Sequence, residues 1–118
     1  MRMWDVPPRM MCRKHLLGEH VEMHMFTGTF RKKVNLKGYL DRGLIDTNKV
    51  QHRHDELVAE MIRRGYNHKS PIDVDLCIGI KDNYRTYKFD IDVNIAELIR
   101  RCAECRGLYN EYTRIYST

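Results

Sequence analysis

The chain has 118 residues, 42% apolar and 31% charged, with a formal charge of +5 and a pI near 9.1. That length suits one domain with its own core, and that balance excludes a disordered chain. No run of 18 apolar residues exists, and Met1–Pro8 lacks the apolar centre of a signal peptide, so the expectation is a cytoplasmic protein with reduced thiols and no membrane span.

In chain order, residues 1–6 read as an extended arm. Pro7-Pro8 cannot sit inside a helix, but a proline can open one, so the first helix is expected from about Pro8 to Met25. Thr27-Gly28-Thr29-Phe30 is expected to break it. Leu36, Tyr39 and Leu40 suggest a short helix ending at Gly43. Asp46-Thr47-Asn48 offers N-caps for a second long helix with the stripe Val50, His54, Leu57, Val58, Met61 and Ile62, closed by Arg63-Arg64 and Gly65. Ile72 to Ile80 alternates like a strand and Tyr84 to Ile91 could pair with it, so 72–91 is either a small β-hairpin or an irregular loop. Asp92 is the expected cap of a third long helix with Ile95, Leu98, Ile99 and Cys102 on its apolar side and an end or bend at Gly107. Tyr109, Tyr112 and Tyr116 follow at helical spacing, suited to packing on the domain or to stacking on bases. The fold class is therefore mainly α: a compact single domain over 1–118 with three main helices and an extended N-terminal arm.

Basic residues cluster at Arg13-Lys14, Arg31-Lys32-Lys33 with Lys37, Arg63-Arg64 and Arg100-Arg101. They fit a polyanion, because each neutralised phosphate releases counterions; ordinary solubilising side chains are the alternative. On the first helix Cys12, His15, Glu19 and Glu22 share one stripe, a poor core face. Three chemistries compete there with a plain solvated surface. Cys102-x-x-Cys105 with His20 and His24 would make a Cys2His2 zinc set, although a cysteine on an apolar helix stripe is usually a small hydrophobe. Cys12 one turn from His15 has the spacing of an activated nucleophile. Glu19 and Glu22 on adjacent turns are a candidate acid/base pair.

Three stretches in register resemble one family. His15-Leu16-Leu17-x-Glu19-x-x-Glu22 is similar to the first helix of the phage pyrimidine-dimer DNA glycosylases, the endonuclease V family. Glu60-Met61-Ile62-Arg63-Arg64-Gly65-Tyr66-Asn67 resembles their Lys/Arg-Arg-Gly-Phe-Asn helix end, and Leu108-Tyr109-Asn110-Glu111-Tyr112 their aromatic C-terminus; 72–91 shows little likeness. The resemblance implies a helical enzyme that cleaves the glycosidic bond of a damaged base and then nicks the strand as an abasic-site lyase. It implies an N-terminal α-amine as nucleophile, an essential Glu at Glu22, a nearby His at His15, and no cofactor or metal. The implied partner is double-stranded DNA with damaged or abasic sites, met by a monomer, in the host cytoplasm if the chain is phage-encoded.

The register runs one residue short, so Met1 falls where the family's mature N-terminal Thr sits, and a bulky Arg2 is expected to block Met removal. Arg2 matches the arginine after the nucleophile. Two helix arginines that the family uses on DNA are Val21 and Met25 here, and His20 stands for a Tyr. Phosphate contacts are then expected from Arg2, Arg13, Lys14, Arg31, Lys32, Lys33, Arg63 and Arg64. Two other readings stay open: a non-catalytic nucleic-acid-binding module on the same fold, and a zinc-stabilised interaction domain.

Overall fold

The computed structural model describes residues 2–32, 37–46, 49–68, 70–71 and 90–116, apart from the side chains of Phe30, Arg31, Lys37, Leu40 and Tyr116. The expected hairpin or loop at 72–91 falls almost wholly outside these residues. The described chain is mainly α: a 3-10 turn at Pro8–Met10, then α1 (Arg13–Arg31), α2 (Lys37–Asp41), α3 (Val50–Arg63), α4 (Ile91–Arg101) and α5 (Ala103–Tyr116). Among the described residues there are four long helices, not three, because one expected helix is two.

The prolines do not open α1. They make a tight turn in which Met10 N–H donates to Pro7 O and Met11 N–H to Pro8 O, and both methionines are fully buried. Helix α1 starts after Cys12, whose carbonyl accepts from Leu16 N–H at 2.9 Å. Its expected break at Thr27 does not occur. Thr27 and Thr29 donate their hydroxyls to the carbonyls of Met23 and Met25, both at 2.9 Å, so these side chains fold back on the helix instead of competing with it. Phe26, fully buried edge-on to Tyr39, anchors that last stretch.

Helices α2 and α3 end as their glycines dictate. Gly43 and Gly65 have φ of +66° and +84°. Gly65 N–H bonds Ile62 O and Tyr66 N–H bonds Met61 O, a paired closure that needs a left-handed residue at Gly65. The cap of α4 is Asp90, accepting from Val93 N–H at 3.2 Å, and not Asp92, which lies inside the first turn.

The largest departure is at Cys102. Its backbone is extended (φ −131°, ψ 114°), so α4 stops at Arg101 and α5 restarts at Ala103, while Gly107 lies inside α5. The tyrosines after it partly take the packing role: Tyr109 is half-buried against the core.

The N-terminal segment is core, not a free arm. Met3, Trp4, Val6, Met10 and Met11 are buried with Leu16, Met23 and Phe26 of α1, Leu57 of α3, Leu98 of α4 and Cys105 of α5. Met3 N–H donates to Leu44 O at 2.6 Å, and Asn94 of α4 donates its amide to Trp4 O at 2.7 Å. Arg53, fully buried, ties the layers together. Its Nε and Nη2 grip Glu19 of α1 at 2.5 and 2.8 Å, and its Nη1 reaches Val6 O at 2.8 Å and Glu56 at 2.5 Å. Burial, more than any other cause, lifts the Glu19 carboxyl above its usual range; the Arg53 guanidinium beside it opposes that rise.

The stripe expected on α3 is thus rearranged. Val50, His54, Leu57 and Met61 are buried, but Ile62 is 62% exposed, and Arg53 and Glu60 point inward instead. No helix among the described residues is long and apolar enough to cross a membrane.

Candidate active site and two ligand clusters

The four residues of the α1 stripe part company in the fold. Glu19 is consumed by Arg53. Glu22 is half-buried, and its Oε2 accepts the backbone N–H of Arg2 at 3.1 Å. That nitrogen belongs to the peptide bond with residue 1, which itself lies outside the described residues. The N-terminal segment therefore folds back onto α1, and it meets α1 at Glu22.

Arg2 is held on three sides. Its guanidinium stacks 3.8 Å over the Trp4 ring and donates to Asn94 Oδ1 at 3.0 Å. Arg101 lies 5.7 Å from the same ring. Burial, then the charge of Arg101, lower the Arg2 pKa. Two cations thus share one aromatic ring, and one of them, Arg2, is bonded through its backbone to Glu22. Neither Arg101 nor Asn94 was singled out by the sequence; Arg101 was one of a basic pair, and nothing local shows that α4 returns to the N-terminus.

Next to Glu22, α1 presents an open face. Val21 and Met25 are 53% and 50% exposed, and Gly18 is exposed with open space around it. Arg13 and Lys14 are exposed one turn earlier, with Arg13 4.7 Å over the Tyr66 ring; Lys32 is exposed at the far end. The side chain of Arg31 and all of Lys33 lie outside the described residues. Arg64 is turned inward: it pairs with Glu60 at 2.7 Å and donates to Pro8 O and Met11 O, which makes it a clamp on the 3-10 turn. Arg63 is half-exposed and paired with Glu60 at 2.5 Å. A groove of about 780 Å³ between the Asp5–Arg9 segment and α3 is a separate feature: Glu22 does not line it, and Glu56, Glu60 and Asp5 match its cations.

His15 is drawn towards sulfur. Its Nδ1 is 3.2 Å from Cys12 Sγ and 3.7 Å from Cys105 Sγ, and its ring stands edge-on to Trp4. Cys12 Sγ is 3.9 Å from Cys102 Sγ, and all four ligand atoms lie within 4.8 Å of one another. Two backbone groups donate to these sulfurs: Cys12 N–H to Cys105 and Cys105 N–H to Cys102, at 3.2 and 3.5 Å. Burial lifts both thiols of the Cys-x-x-Cys pair. At Cys102 the donors from Cys105 and Cys12 outweigh it and the pKa is lowered, while Cys105 is pushed up to about 12. Cys12, Cys102 and Cys105 are free thiols.

His20 and His24 join a different cluster. With His54 of α3 and His68 beyond it, their ligand nitrogens also lie within 4.8 Å of one another. The Cys2His2 set expected from spacing is thus not assembled: each half completes its own group of four. Three of the imidazoles, His20, His24 and His68, carry a buried Nε2 with no hydrogen-bond partner. Each such nitrogen costs about 1–3 kcal/mol. Burial, then the neighbouring histidines, push the His20 pKa down to about 4.

A family model described as pyrimidine dimer DNA glycosylase matches residues 1–74, and the chain belongs to this family. No curated protein and no solved structure matches it. The match covers the N-terminal segment, α1 and α3 with Glu22, and stops before α4 and α5.

Proposed function

We propose that the chain is a DNA glycosylase and abasic-site lyase whose N-terminal α-amine is the nucleophile and whose Glu22 carboxylate serves it. The observation that carries this reading is the hydrogen bond from Arg2 N–H to Glu22 Oε2, one peptide unit from the chain start. An α-amine has a pKa of roughly 7.7–8.0, so an appreciable fraction is neutral at pH 7. The amine attacks the sugar C1′ and the bond to the base breaks, the base taking the bonding electrons and a proton; the C1′–O4′ bond then opens as the ring oxygen takes a proton, which gives a protonated Schiff base. Removal of a C2′ proton then expels the 3′ phosphate by β-elimination, and water releases the enzyme. Glu22 stabilises the cationic sugar and moves these protons.

In this account Arg2 and Arg101 over Trp4 receive phosphate, with Arg13, Lys14 and Lys32 as outer contacts, and Arg31, Lys33 and Arg63 as further candidates. Arg64 is left out as structural. His15 is assigned to holding the start of α1, not to the reaction. Val21 and Met25 put apolar surface where the family has arginines, which suits contact with a displaced base more than with phosphate. Damaged or abasic positions in duplex DNA are the substrate because they stack poorly and are cheap to distort. The chain acts as one domain and as a monomer, in the cytoplasm.

Duplexes carrying one thymine dimer or one abasic site test the reading. Strand cleavage ending in a 3′ unsaturated aldehyde is expected on the abasic duplex, and on the dimer duplex cleavage of one glycosidic bond, with the detached thymine still held by the cyclobutane ring, followed by the same cut. Salt-dependent binding with neither cut favours a non-catalytic module instead.

A further inference from the structure

We propose that Cys12, His15, Cys102 and Cys105 bind one zinc ion in a tetrahedral structural site, and that His20, His24, His54 and His68 bind a second. The first site rests on geometry. With Zn–S near 2.3 Å and Zn–N near 2.0–2.1 Å, the ligand atoms of a tetrahedral site stand about 3.5–3.8 Å apart. The separations here are 3.2 Å for Cys12 to His15, 3.7 Å for Cys105 to His15 and 3.9 Å for Cys12 to Cys102. The backbone explains how the set assembles. The helix break puts Cys102 at the junction of α4 and α5 with Cys105 in the first turn of α5, and Cys12-x-x-His15 occupies the entry to α1. The Cys105 N–H to Cys102 Sγ bond and the Cys12 N–H to Cys105 Sγ bond supply the outer support that thiolate ligands use. Metal uptake replaces three thiol protons, so Zn2+ with three thiolates and a neutral imidazole carries a net charge of −1.

Two of these ligands, Cys102 and Cys105, lie beyond the residues that the family model matches, so the site joins the matched part to α4 and α5. Its consequence is positional: the ion fastens the end of α4 to the start of α1, and so fixes the helix whose Asn94 bonds Arg2 and Trp4 and whose Arg101 lies by the Trp4 ring.

The second site stands on a different observation. His20, His24 and His68 each have a buried Nε2 without a partner, and His20 is only 6% exposed. His54 Nδ1 is 2.9 Å from the Asp55 carboxylate, the carboxylate–histidine pairing that orients a metal-bound imidazole. That leaves His54 Nε2 as the ligand, exchanging its 3.2 Å contact with Ser70 O for the ion. This site would fasten α1 to α3 and to the segment that follows α3.

Elemental analysis of the whole chain, purified without chelator and with zinc in the medium, reads both sites without DNA. It therefore stands or falls apart from the lyase reading. Two zinc ions per chain are expected. Replacement by Co2+ is expected to give thiolate-to-cobalt charge-transfer bands with the visible bands of a tetrahedral ion. Cys105→Ser is expected to lose one ion and the charge-transfer bands, and His68→Gln to lose the other ion with those bands kept. A wild-type chain that takes up neither zinc nor cobalt overturns both sites, and cobalt bound without thiolate bands overturns the first. One ion per chain, retained with its thiolate bands in His68→Gln, overturns the second.

Discussion

Arg53→Ala is expected to destabilise the protein by about 3–5 kcal/mol, the cost of breaking a buried ion pair by removing one partner. The guanidinium is fully buried and makes two bonds to Glu19, one to Val6 O and one to Glu56. Its loss leaves the Glu19 carboxylate, itself 1% exposed, without a cation. Thermal unfolding by circular dichroism is expected to show a fall in Tm on the order of 10–20 °C. The deficit has a pH dependence with a fixed sign. Burial already raises the Glu19 pKa, and the variant removes the cation that opposes this. Above the unfolded carboxylate pKa the variant's folded state then binds more protons than its unfolded state, so its stability falls as pH rises and the deficit shrinks towards acid. Arg53→Lys is expected to rescue little, because an ammonium cannot reproduce the two-pronged grip on Glu19 and reach Val6 O as well. A Glu19→Gln, Arg53→Met pair is expected to recover part of the loss. A Tm within 2 °C of wild type for Arg53→Ala would remove Arg53 as the element that fixes the N-terminal segment.

Glu22→Gln is expected to lower strand cleavage on an abasic duplex by about 10²–10⁴-fold, the range for a lost acid/base group. The amide keeps the size of the carboxylate and an oxygen for Arg2 N–H, so helicity and Tm are expected to hold. DNA affinity at fixed salt is expected to change less than threefold, since the carboxylate is not a phosphate ligand. The split distinguishes chemistry from scaffolding: a merely structural Glu22 would weaken binding and stability together with cleavage.

How much of this was legible in the sequence follows from the range of each signal. The glycine stops at Gly43 and Gly65 and the existence of α1, α3 and α4 are local matters, carried by turn chemistry and helical spacing. The errors were of two kinds. Thr27 and Asp92 were misread because a local rule was overridden by where the side chain turned: back to a carbonyl in one case, and displaced as cap by Asp90 in the other. The break at Cys102 has no breaker residue at all, and no local rule announces it.

The site was legible along α1 and not across the fold. Periodicity put Glu19 and Glu22 on one stripe but did not separate their fates, because Arg53 is 34 positions from Glu19. The same limit misassigned the ligand sets. Spacing found Cys102-x-x-Cys105 and the His20, His24 pair, yet their true companions, Cys12 with His15 and His54 with His68, come from packing. The resemblance implies an N-terminal amine that works with Glu22, and the chain is seen to return to Glu22 as far as Arg2.

The central claim is that the α-amine at the chain start forms the covalent intermediate. Borohydride reduction during incubation with an abasic duplex, followed by protease digestion and mass spectrometry, measures it directly on protein with a native N-terminus. The account predicts one DNA adduct, on the α-amine of the peptide that begins at Met1. An adduct on a lysine such as Lys14, or no adduct while the Met1 amine is free and unmodified, would contradict it.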